Sequence, residues 1–70
     1  MANVEAEMVA NVWKVLVAVG AQVAEGDTLV ILESMKMEIP VVAPQAGTVT
    51  AVNVVEGGVV QEGDVIAVVD

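Results

Sequence analysis

Short valine-rich apolar runs alternate with turn residues along this chain, and their lengths predict eight β-strands and no helix. Strands are expected at Val4–Glu7, Asn11–Val17, around Val23, Thr28–Glu33, Met37–Val42, Thr48–Val54, around Val59 and Val65–Val69. Within Asn11–Val17, strict alternation puts Trp13, Val15 and Val17 on one face and Val12, Lys14 and Leu16 on the other. The later strand sets Thr50, Val52 and Val54 against Val49, Ala51 and Asn53. Val15, Val17, Val52 and Val54 are therefore assigned to the interior. The runs "LVIL" and "VIAVV" are apolar on both faces, so alternation does not orient them.

The pattern occurs twice. "VAEGDTLVILE" (Val23–Glu33) aligns with "VQEGDVIAVVD" (Val60–Asp70) at a shift of 37 residues, the separation of Asp27 and Asp64. At the same shift Val12, Val15, Val17 and Gly20 meet Val49, Val52, Val54 and Gly57. Valine matches are cheap in such a chain, whereas the repeated glycines and Glu-Gly-Asp turns are not. Gly26 and Gly63 are expected to supply the positive φ of tight turns. Two units are too few for a solenoid. They fit two short sheets related by a pseudo-two-fold axis, each covering the apolar face of the other.

The chain is expected to cross between sheets midway between the copies, at "ESMKMEIP" (Glu33–Pro40). If Met35 and Lys36 are the central turn residues, Ser34 faces Met37 and Glu33 faces Glu38. A two-residue turn of type I′ needs φ > 0 at both central positions, which costs a non-glycine residue on the order of 1 kcal/mol each. Opposed carboxylates add a few tenths to about 1 kcal/mol. A sequence that contradicts its own fold locally marks a place to look for function.

Composition narrows the chemistry. Seventy residues make one domain; with no cysteine there is no disulfide or thiolate metal site, and no metal ligand set stands out. Nineteen valines and a single aromatic, Trp13, agree with an all-β core. A net charge of −8 opposes binding to nucleic acid or to anionic membranes. The longest uncharged stretch, Ile39–Val55, is broken by Pro40, Pro44 and Gly47 and makes a poor membrane span. "MANVEAE" lacks the features of a secretory signal, so a cytoplasmic protein is expected.

Lys36 is one of only two lysines. A lone lysine in a turn is ordinarily just solvated. A lysine amine in water is almost wholly protonated at neutral pH, so a turn-tip lysine is not a nucleophile that the domain activates itself. Such an amine can be acylated by an enzyme that brings an activated carboxyl group and removes the proton. Met35 and Met37 offer that enzyme soft, adaptable apolar contact. A substrate for modification fits better than a catalyst; there is no histidine, and Glu25, Asp27, Glu62 and Asp64 read as solvated turn residues. Lys14 reads as a surface strand residue and Trp13 as partly buried packing.

"ESMKMEIP", preceded by "EGDTLVILE" and followed by "VVAPQAGTV", resembles the biotinyl/lipoyl attachment domain family over residues 1–70, most closely its small stand-alone members. The resemblance implies a flattened β-barrel, or barrel-sandwich hybrid, of two four-stranded antiparallel sheets with quasi-two-fold symmetry. It implies a non-catalytic biotin carboxyl carrier, with biotin joined covalently to Lys36 by a biotin protein ligase and the arm shuttling carboxyl groups between active sites of a biotin-dependent carboxylase. Met35 and Met37 would be the ligase recognition positions, with Glu33 and Ser34 as the motif's flank. The implied partners are the ligase and biotin carboxylase and carboxyltransferase subunits; with no tether visible beyond Met1 or Asp70, the chain is expected either to dock on separate subunits or to be an excised domain, and a monomer is expected.

The sequence also departs from the family. Glu7, Val9 and Ala10 stand where the family commonly has Pro, Pro and Gly, which leaves the backbone at Ala10 open. No insertion provides a protruding thumb. Two alternatives remain: a lipoyl carrier, with lipoate on the same lysine, and a structural module that carries no cofactor.

Overall fold

The computed structural model describes all residues, Met1–Asp70, as eight strands without a helix. They are β1 (Ala2–Glu5), β2 (Ala10–Val15), β3 (Gln22–Val23), β4 (Thr28–Ser34), β5 (Met37–Val42), β6 (Gly47–Val52), β7 (Val59–Val60) and β8 (Val65–Val69). Every pairing is antiparallel, in two four-stranded sheets ordered β1-β8-β6-β3 and β5-β4-β2-β7. No helix is long and apolar enough to cross a membrane.

The 37-residue shift carries one sheet onto the other, strand by strand, so the two orders are the same order read in the two halves. Turn hydrogen bonds repeat with it. The Ala6 and Ala43 N–H groups donate to the carbonyls of Asp64 and Asp27, both at 2.8 Å. Gly63 and Gly26 donate back to the same two alanines, both at 2.9 Å. Each Glu-Gly-Asp turn thus clasps a buried alanine from the opposite half, and its glycine has φ of 89° in both copies. These clasps also shift the first strand: Ala6 leaves the ladder for the turn, so β1 covers Ala2–Glu5 and not Val4–Glu7.

Each half feeds both sheets. The chain changes sheet at every connection except β4–β5, which is a hairpin within one sheet. The expected crossing at "ESMKMEIP" is therefore corrected: Glu33–Pro40 is the one place where the chain does not cross. A two-residue turn is too short to reach another layer and can only join hydrogen-bonded neighbours.

The core consists of thirteen buried residues, all apolar. Val15, Val17, Val52 and Val54 pack against it half-buried, as the alternation predicts, but Val12 and Val49, assigned to the outer face, are fully buried. The cause is a register shift at Trp13 and its counterpart Thr50, 37 residues on. A bulge uses one extra residue and reverses the alternation, so residues on both sides of it can face inward. Trp13 consequently points outward at 43% exposure, and the expectation of partly buried packing is corrected. Bulges at Leu29 and Ile66 likewise bury consecutive residues, Leu29–Val30 and Ile66–Ala67. Ala10 lies within β2, buried and without positive φ, so the loss of the family's glycine costs no turn there.

Candidate functional site

Strands β4 and β5 pair from Thr28↔Val42 out to Glu33↔Glu38 and Ser34↔Met37, leaving Met35 and Lys36 as the entire turn. The facing pairs are those expected from the sequence. Met35 has φ of 52° and Lys36 of 65°, the only non-glycine residues in the chain with positive φ. The other tight turns place glycine at such positions, namely Gly20, Gly26, Gly57 and Gly63. Strain of on the order of 1 kcal/mol per residue is thus confined to the apex of this hairpin.

The hairpin holds its side chains in solvent. Met35 is 91% and Met37 66% exposed; Lys36, Glu33 and Glu38 are exposed, and Ser34 is half-buried. Leu32 and Ile39, one pair further in, turn toward the core. They anchor the hairpin on a rigid stem. No side-chain hydrogen bond involves Lys36, and the chain's single ion pair joins the Met1 amine to Asp70 Oδ1 at 3.7 Å. The Lys36 amine is free, backed by a fixed main chain, with a thioether on each side in sequence.

Lys14 is exposed as well, but it is placed differently. It lies on the face of β2, opposite Ile31, with Nζ 5.5 Å from the centre of the Trp13 ring. That cation–π geometry ties it down, and no methionine flanks it.

The only cavity, about 300 Å³, runs between the edge strands β1 and β5 and is lined by Val4, Met8, Leu32, Ile39 and Val41 among others. Neither Lys36 nor its flanking methionines line it. The lysine sits at an exposed hairpin tip, apart from this cavity. No three carboxylates converge into a metal-binding group. Asp27 and Asp64 are more than solvated turn residues: their Oδ2 atoms accept hydrogen bonds from the N–H groups of Ala24 (2.8 Å) and Gln61 (2.9 Å). The Asp that closes each repeated Glu-Gly-Asp turn was the available signal.

A family model described as "Biotin-requiring enzyme", for biotin/lipoyl attachment domains, matches residues 2–69. The chain is 65% identical over 68 residues to a biotinylated protein TB7.3 homolog of Mycolicibacterium smegmatis, covering 97% of this chain and 96% of that one. It is 51% identical over 64 residues to a biotin/lipoyl attachment protein of Bacillus subtilis, covering 91% and 88%. Among solved structures, the Kluyveromyces lactis urea carboxylase superposes with a TM-score of 0.92 at 35% identity over 99% of this chain, which spans 6% of that enzyme.

Proposed function

The chain belongs to the biotin/lipoyl attachment family, whose members are carriers and not catalysts, and from that premise we propose that it is a biotin carboxyl carrier modified on Lys36. One observation carries the reading: a free amine at the apex of the only in-sheet hairpin, on a strained turn that any glycine would relieve.

A biotin protein ligase supplies biotin as an acyl-adenylate. The Lys36 amine, deprotonated by a ligase group, attacks the acyl carbon; an amide bond forms, the bond to phosphate oxygen breaks, and AMP leaves. The domain contributes presentation. The turn fixes the amine's backbone, Met35 and Met37 provide adaptable apolar contact on either side, and Glu33 and Ser34 complete the strand end that the ligase grips.

Biotin fits this site because the amine is accessible and unpaired, and amide formation leaves no buried charge behind. When bound, it supplies the ureido group that holds the activated carboxyl. The domain's rigid stem then delivers that group to the biotin carboxylase and carboxyltransferase subunits. The occurrence of the same fold within a urea carboxylase supports such a use, as does a 51%-identical relative named biotin carboxyl carrier protein in Streptococcus mutans.

Co-expression with a biotin protein ligase, followed by streptavidin capture and peptide mapping, tests the proposal. Label is expected on Lys36 and none on Lys14, with Lys36→Arg blank; label on Lys14 or none at all would overturn it. The name of the Bacillus subtilis relative keeps lipoate as a second reading for the same lysine, and intact mass separates the two adducts.

A further inference from the structure

Two of the readily oxidised side chains of this protein stand together at the tip of the β4–β5 hairpin. With no cysteine, its softest sulfur atoms are the four methionine thioethers. None of them belongs to the core. Met35 is the most exposed large apolar side chain in the molecule, at 91%, and Met37 is 66% exposed, whereas Met8 is 41% exposed against the β1–β5 groove. Met1, at 85%, lies at the end of the chain. The two internal thioethers most open to solvent therefore bracket Lys36.

We propose that Met35 and Met37 form a reversible oxidation site that governs whether Lys36 can be modified; this rests on the carrier reading above. A hydroperoxide transfers its terminal oxygen to the thioether sulfur. An S–O bond forms, the peroxide O–O bond breaks, the sulfur loses two electrons, and the peroxide is reduced to water or an alcohol. The product, methionine sulfoxide, is polar and chiral, and sulfoxide reductases return it to the thioether. At this site the change replaces the soft apolar surface on both sides of the amine with strong hydrogen-bond acceptors. Neither methionine packs in the core, so oxidation changes what a ligase meets without unfolding the domain. That separates this site from oxidative damage, in which a buried methionine disrupts packing.

The test treats the unmodified full chain with hydrogen peroxide, removes the peroxide, maps sulfoxides by peptide mass and measures the initial rate of Lys36 labelling by a biotin protein ligase. Sulfoxide is expected at Met35 and Met37 before Met8. The labelling rate should fall roughly tenfold or more, recover after methionine sulfoxide reductase, and coincide with an unchanged thermal unfolding curve. The doubly substituted Met35→Leu, Met37→Leu chain, whatever its starting rate, should show no response to peroxide. Oxidation of Met8 first, an unchanged rate with both sulfoxides in place, or an equal loss in the leucine variant would each overturn the inference. Untreated protein that takes no label would sink the carrier reading instead, and the order of sulfoxide formation would still test the site.

Discussion

Glu33 on β4 and Glu38 on β5 stand directly opposite each other, one pair inward of the Ser34–Met37 pair that closes the Lys36 turn. Both are exposed, on the outer face of the sheet, and neither has an ion-pair partner. Like charges opposed across a ladder repel. Replacing one of them, Glu38→Gln, should raise stability by about 0.5 kcal/mol or less at low ionic strength. Salt screens exposed charges, so the gain should shrink toward zero near 1 M salt. Urea unfolding at two salt concentrations measures it, and a salt-independent gain would contradict an electrostatic origin.

The same hairpin should be more stable without its lysine. Lys36 holds φ of 65°, a conformation that glycine adopts freely. Lys36→Gly should therefore stabilise the domain by about 1 kcal/mol in denaturant unfolding, while abolishing labelling. Lys36→Arg should lose the label with no such gain, because arginine carries the same Cβ into the same turn. A glycine variant no more stable than the arginine one would show that the turn is unstrained.

The hairpin was legible in the sequence because a two-residue turn fixes its own register: once Met35 and Lys36 form the turn, Glu33 must meet Glu38. The repeat was legible for a similar reason, since glycine and Asp positions mark turns by backbone need. What alternation could not show was the bulges. Nothing about Trp13 or Thr50 singles them out as extra residues, yet each reverses the side-chain alternation and turns Val12 or Val49 inward. Nor could the repeat alone say that consecutive strands change sheets. That depends on the clasps of Ala6 and Ala43, two small residues whose partners lie in the opposite half.

The paired Glu-Gly-Asp turns predict matching losses. Asp27 and Asp64 each accept a hydrogen bond from the N–H three residues back, at 2.8 and 2.9 Å. Removing the acceptor in Asp27→Ala or Asp64→Ala should cost about 1 kcal/mol in either copy. In a domain of this size that lowers Tm by about 4–8 °C. Asn at either position keeps an acceptor oxygen and should lose less. Thermal scans of the four variants decide it; a large loss in one copy beside none in the other would contradict the equivalence of the halves.

Gly47 and Ala10 occupy equivalent positions in the two halves, but only one of them tolerates a side chain. A Cβ on Gly47 would run into the backbone carbonyl oxygen of Asp70 and crowd the Val69 side chain. That carbonyl accepts the Thr48 N–H at 3.0 Å, and the Asp70 N–H donates back to Thr48 at 2.8 Å, so it cannot withdraw without opening both bonds. Gly47→Ala should cost about 1–3 kcal/mol, the usual range for overpacking, and should speed hydrogen exchange at the Thr48 and Asp70 amides. Ala10 already carries its methyl in a buried site. Ala10→Gly should lose about 1 kcal/mol, through lost burial and a freer unfolded chain, while leaving those two amides as protected as before. Equal exchange in the two variants would mean that the close approach at Gly47 does not hold the final strand in place.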